Sequence, residues 1–95
     1  MHAVVNHLRF RDDVDPSVFA GMAEVVPQMR AIEGFGGIQV IQTAANEVTL
    51  VILADSAETL NRLATEVGGP WMVANLVPLL AGPPDRQLGP VLASA

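Results

Sequence analysis

The chain switches repeatedly between two hydrophobic periods. From Ala3 to Phe10 (AVVNHLRF) the period is two, which places Val4, Asn6, Leu8 and Phe10 on one face and Ala3, Val5, His7 and Arg9 on the other. This predicts a strand. From Pro16 to Ala31 the period lengthens: Val18, Met22, Val25 and Met29 recur at steps of four, three and four, and Phe19 and Val26 widen the stripe. With Asp15 as N-cap and Pro16 at the first helical position, one helix is expected, kinked at Pro27 and ended by Gly34 as a C-cap glycine. Phe35–Thr43 and Glu47–Ala54 return to strand composition. Ala44-Ala45-Asn46 joins them, with Asn46 expected in the left-handed conformation of a bulged hairpin. Glu47–Ala54 (EVTLVILA) is apolar on both faces, as a central strand covered on both sides would be.

Asp55 with Glu58 three residues on predicts a capping box that opens a helix over Ser56–Val67, with Ala57, Leu60, Ala64 and Val67 inward. Gly68-Gly69 is expected to break the chain before a short helix, Pro70–Leu80, strained late by Pro78. Gly82-Pro83-Pro84 is a rigid loop. Arg86–Ala93, interrupted by Pro90, reads as an edge strand. The order is β-α-β-β-α-(α)-β, an α+β, ferredoxin-like split βαβ with a four-stranded antiparallel sheet and helices on one face. The other face, with Val5, Val51 and Leu53 among its members, is left bare.

Composition sharpens that point. The 95 residues suit a single domain spanning 1–95, and 51% of them are hydrophobic, with a mean hydropathy of +0.40. So small a chain cannot hide that much apolar side chain in its own interior. A homodimer supplies the second buried surface, and two bare sheets packed face to face form a dimeric α+β barrel. Ten acids against five arginines, with no lysine, give a net charge of −5. No basic cluster is available to neutralise phosphates, which argues against a nucleic-acid partner. The absence of cysteine removes thiolate chemistry, disulfides and iron–sulfur sites. The apolar runs stop short of a membrane span, and the start lacks a secretory pattern, so a cytoplasmic location is expected.

No nucleotide-binding, hydrolase-elbow or zinc-protease motif occurs. His2 and His7 are five apart on one strand and point to opposite faces, so they form no local metal pair, and no metal site is expected. Asn6 stands out: a mid-strand amide on the helix-facing side must find a hydrogen-bond partner, either in the core or in a ligand. Asn75 is the one polar side chain in PWMVANLVPLL, and Trp71 lies four residues before it on the same helix face. Both residue types have ordinary structural uses, Asn75 as compensation for Pro78 and Trp71 as core. Together with Asn6, Leu8 and Phe10 they would instead line a cleft for a flat, apolar or aromatic small molecule. His7 lies on the bare face, either as an interface histidine or as a base titrating near neutrality.

These segments resemble the antibiotic-biosynthesis-monooxygenase-like proteins of the dimeric α+β-barrel superfamily. The resemblance rests on the opening strand VVNHLRF, the junction AIEGFGGIQV, the step VTLVILADSAETLNRL and the segment PWMVANLVPLL. It implies a cofactor-independent monooxygenase, an oxidoreductase that acts on an aromatic or polyketide-like compound, with Asn6 matching the strand-1 asparagine that faces the substrate cleft. The alternative is a non-catalytic small-molecule-binding or stress-responsive dimer. A largely structural dimer is the third reading, and a side-chain-filled core in place of a cavity would mark it. The haem-degrading branch carries a histidine ligand where this chain has Asn75, and a tryptophan near the place of Leu63, so the resemblance implies no haem and no other cofactor.

Overall fold

The computed structural model describes residues 1–95. Strands β1 (His2–Arg9), β2 (Phe35–Ala44), β3 (Glu47–Ala54) and β4 (Asp85–Pro90) form one antiparallel sheet in the order β2-β3-β1-β4. Helices α1 (Met22–Arg30), α2 (Ala57–Leu63) and α3 (Gly69–Asn75) pack on one face. The alternation read from the first strand holds: Val4, Asn6 and Leu8 are buried under the helices and Val5 is not. β3 is central, as its composition implied. Its second face, with Val51 and Leu53, is only half-buried, so in a single chain it is covered on one side.

Several local expectations change, each for an identifiable reason. The first helix is not continuous. Pro16–Phe19 is a 3-10 turn, capped by the Asp15 carboxylate accepting the Ser17 N–H at 3.0 Å, and α1 starts only at Met22. The break falls beside Gly21, where an added Cβ would stand 3.1 Å from the Trp71 indole nitrogen. The indole thus packs against bare backbone. Pro27 lies inside α1 without ending it. The carbonyl it leaves unpaired, that of Ala23, is in the exposed first turn, where water can serve it.

No non-glycine residue has a positive φ, so Asn46 is not left-handed; the hairpin instead bulges between Gln42 and Ala44. Asn46 ties the hairpin to the end of β1: its carbonyl accepts the Phe10 N–H at 2.8 Å and its amide donates to the Phe10 carbonyl at 3.3 Å.

Ser56, not Asp55, caps α2, accepting the Thr59 N–H at 3.2 Å. Asp55 accepts the Thr59 hydroxyl at 2.6 Å, and Glu58 falls in the first helical turn. Gly34 is not the helix cap: α1 ends at Arg30 with Ala31 as its C-cap, and Gly34 (φ 98°) turns the chain into β2; its carbonyl accepts the Asp55 N–H at 2.9 Å, and a Cβ there would run into the Asp55 carboxylate. Gly68-Gly69 does not break the chain. A π turn over Ala64–Gly68 carries α2 directly into α3. The Gly69 N–H donates to the Ala64 carbonyl, and a Cβ on Gly69 would sit 2.5 Å from that oxygen. A 3-10 turn, Val77–Leu79, replaces the end of the expected last helix, and β4 stops at Pro90, which has no N–H to continue the ladder.

Asp15 and Asp55 carry a pH dependence. Hydrogen bonds from Ser17 hold the Asp15 carboxyl below its ordinary value, and the Thr59 hydroxyl does the same for Asp55. A depressed folded-state pKa contributes stability that is fully present above the unfolded value, about 3.9 for aspartate, and is lost as pH falls through the folded value. The melting temperature should therefore fall between about pH 5 and pH 3, and Asp55→Asn should flatten that acid limb. An unchanged slope in the variant would remove Asp55 from the account.

Candidate functional site

The buried side chains form two clusters. Val4, Val25, Met29, Ile32, Ala54, Leu60, Leu63 and Val67 make the first; Leu8, Phe10, Val48, Leu50, Leu76 and Leu80 make the second. Asn6 sits on β1 between Val4 of one cluster and Leu8 of the other, at the seam. A cavity of about 390 Å³ opens there, between the helix-facing side of β1 and β4 and the wall made by α2, the π turn and α3. Val4, Met29, Leu60 and Leu63 supply its floor, and Met72 and Val73 reach in from α3.

Asn6 is 7% exposed and is the one buried polar residue of the chain. No protein group hydrogen-bonds its amide. Its polar atoms are nevertheless not sealed off, because only His2 Nδ1 is both buried and unpartnered. The amide therefore opens to the cavity, where water or a ligand can satisfy it. Arg86 on β4 is paired in register with Asn6, so both side chains leave the sheet on the same side, and Arg86 also lines the cavity. Its guanidinium has one contact, to Asn61 Oδ1 at 3.4 Å, and is otherwise free. Two donors, one of them cationic, thus line an apolar space. An anionic or carbonyl oxygen held there would be stabilised by both. No His, Asp or Glu lines the wall, so the cavity holds no side-chain base.

Of the residues singled out in the sequence, only Asn6 lies on this cavity. Leu8 (0% exposed) and Phe10 (4%) are packed in the second cluster and are core side chains. Trp71 bridges the two clusters, its ring 6.5 Å from that of Phe19 and against Gly21. Asn75 is exposed, and its amide donates to the Trp71 carbonyl at 2.9 Å. Trp71 and Asn75 were expected on the cleft wall; from α3 it is Met72 and Val73 that line the cavity instead. Arg86 was missed. Its charge was legible, but its pairing with Asn6 needs the register of two strands eighty residues apart.

His7 faces the bare side of the sheet, as expected. Glu47 Oε1 lies 3.2 Å from its Nε2, and Thr49 Oγ1 lies 3.1 Å from Nδ1. A carboxylate only accepts, so the tautomer that satisfies both contacts has the proton on Nε2 and the Thr49 hydroxyl donating to Nδ1. This polar group belongs to the face opposite the cavity. No cluster of three His, Cys, Asp or Glu side chains suited to a metal ion occurs.

No model of a known family matches the chain, and no curated protein matches it. Solved structures do. SnoaB, a cofactor-independent oxygenase from Streptomyces nogalater, superposes with a TM-score of 0.75 at 14% identity, covering 98% of this chain and 94% of that one. An antibiotic biosynthesis monooxygenase superposes with a TM-score of 0.76 at 10% identity, covering 98% and 100%. Rv0793 from Mycobacterium tuberculosis gives 0.69 at 19% identity, covering 99% and 97%. The TM-scores and the near-full coverage of both chains agree: this chain has an α+β, ferredoxin-like fold that matches the antibiotic biosynthesis monooxygenases.

Proposed function

We propose that the protein is a homodimeric, cofactor-independent monooxygenase whose substrate is an apolar, aromatic small molecule bearing an ionisable oxygen. The observation that carries this reading is the unpartnered Asn6 amide beside Arg86 in an apolar cavity. With no base in the wall, the substrate binds as, or becomes, its own anion. Asn6 and Arg86 stabilise the enolate or phenolate oxygen, which lowers the substrate's pKa. The electron-rich carbon of that anion gives one electron to O₂, the radical pair joins to a peroxide anion that takes up the proton the substrate gave to solvent, and loss of water from that carbon, which carries a second hydrogen, leaves a carbonyl. One oxygen atom enters the product, the other leaves as water, and the substrate supplies every electron. The fold of SnoaB, itself a cofactor-independent oxygenase, supports the reading.

The test has two stages. Titration with 8-anilinonaphthalene-1-sulfonate, an aromatic anion, should give one-to-one binding. Arg86→Gln should weaken it by about 1.5 kcal/mol or more, roughly tenfold, the scale of a hydrogen bond to a charged group. Oxygen uptake with an acidic polycyclic phenol, and one labelled atom from ¹⁸O₂ in the product, tests the chemistry. Binding without oxygen uptake would favour a non-catalytic binding protein, the second reading, which the absence of a side-chain base supports.

The homodimer rests on the bare sheet face. The chain exposes 5709 Å², about a tenth above the ~5,200 Å² expected for a monomer of 10.0 kDa. Val5 (39% exposed) and Ile41 (43%) stand on that face beside Val51 and Leu53. Four strands of about eight residues span roughly 19 by 27 Å, on the order of 500 Å² in projection, enough to seat a second copy. No helix is long and apolar enough to cross a membrane.

A further inference from the structure

The two glycines that line the cavity wall differ in what the fold asks of them. Gly69 is required by the backbone: a Cβ there would lie 2.5 Å from the Ala64 carbonyl oxygen that closes the π turn. Gly68 has no such duty. Its backbone is ordinary right-handed helix (φ −69°, ψ −44°), which every L residue adopts. A Cβ at Gly68 would stand 3.6 Å from the Leu63 carbonyl oxygen and 3.7 Å from the Met29 methyl, both ordinary contact distances. Within a helical stretch glycine is also the less stable choice, because the unfolded chain gains freedom and nothing is packed in return. Local stability therefore favours alanine at this position. What a side chain here would do is grow beside Met29 and Leu63, two residues of the cavity floor, and so occupy the cavity itself.

We propose that Gly68 is a specificity-determining residue: its missing side chain sets the depth of the Asn6–Arg86 cavity, and with it the size of the apolar body the cavity admits. The inference rests on the reading of that cavity as a ligand site. The anionic end of the ligand is held by Asn6 and Arg86 on the sheet, and its apolar body extends across the cavity to the π turn, where Gly68 leaves room. Filling that room leaves the anion contacts intact and shortens the space behind them. Two ligands with the same anion and different bodies should then respond differently to one substitution.

Binding of two sulfonates, naphthalene-1-sulfonate and the larger 8-anilinonaphthalene-1-sulfonate, to the wild type, Gly68→Ala and Gly68→Val tests this, with melting curves taken alongside. A single methylene in an apolar pocket is worth roughly 10–200-fold. Gly68→Val should therefore raise the Kd of the larger sulfonate at least about tenfold, and Gly68→Ala by less, while the Kd of the smaller one changes no more than about threefold. Gly68→Ala should melt at or above the wild-type temperature. If Gly68→Ala melts markedly lower, glycine is needed by the fold and the inference is overturned. If folded variants bind both sulfonates as the wild type does, the inference falls and the ligand site stands. If the wild type binds neither sulfonate, the ligand site and the inference fall together.

Discussion

Replacing Asn6 by leucine should leave the protein folded, with a melting temperature equal to or above that of the wild type, and should remove ligand binding. Asn6 is 7% exposed, and no protein group accepts from or donates to its amide. The free protein therefore loses no internal hydrogen bond in the variant, only contacts to water, which are worth little net. The leucine side chain adds apolar contact at the seam between the two hydrophobic clusters. The ligand, by contrast, loses a hydrogen bond to its charged oxygen, a loss of about 1.5–3 kcal/mol, or roughly 10- to 150-fold in Kd. Leucine also obstructs the cavity, so the combined effect on binding and turnover is larger. Asn6→Ala separates the two effects: its stability should change by less than about 1 kcal/mol, while the hydrogen-bond loss remains. A variant that melts far below the wild type yet binds the aromatic sulfonate normally would make Asn6 a structural residue.

Placing arginine at Val5 should convert the protein from a particle of twice 10.0 kDa to one of 10.0 kDa. Val5 stands on the bare face, paired in register with Val51 on one side and Gln87 on the other. It is already 39% exposed in the single chain, so an arginine there disturbs little inside the protomer. In a two-fold dimer the substitution occurs twice and buries two unpaired guanidinium groups. A total cost on the order of 4 kcal/mol or more corresponds to about a thousandfold in the dimer Kd. Light scattering or sedimentation at micromolar concentration reads the result directly. A wild-type protein that is already a stable 10 kDa monomer would sink the dimer, and so would a Val5→Arg variant of unchanged mass.

The face that carries Val5, and the opposite one that carries Asn6, were legible in the alternation of eight residues, because side chains on a strand alternate whatever the strand pairs with. The element order, the central place of Glu47–Ala54 and the edge character of the segment with Pro90 were legible for similar reasons: each follows from local periodicity or from the chemistry of one residue. Helix boundaries were less so. Gly68-Gly69 reads locally as a break, yet the chain runs through it as a π turn, because packing of α2 on the sheet and of Trp71 and Met72 against the hydrophobic clusters outweighs the weak local preference of two glycines. Likewise Ser56 and Asp55 are both competent caps; in the fold Ser56 takes the Thr59 N–H and the Asp55 carboxylate takes the Thr59 hydroxyl.

The cavity was the least legible feature. Asn6 could be picked out from one strand, since an amide on an apolar face needs a partner wherever it lies. Which residues meet it is a matter of register and helix rotation. Arg86 joins it through the β1–β4 pairing, and from α3 Met72 and Val73, not Trp71 and Asn75, line it. Local patterning depends on interactions within a few residues and is written along the chain. The phase of a helix and the offset between distant strands depend on how whole surfaces fit, and those the folded protein alone settles.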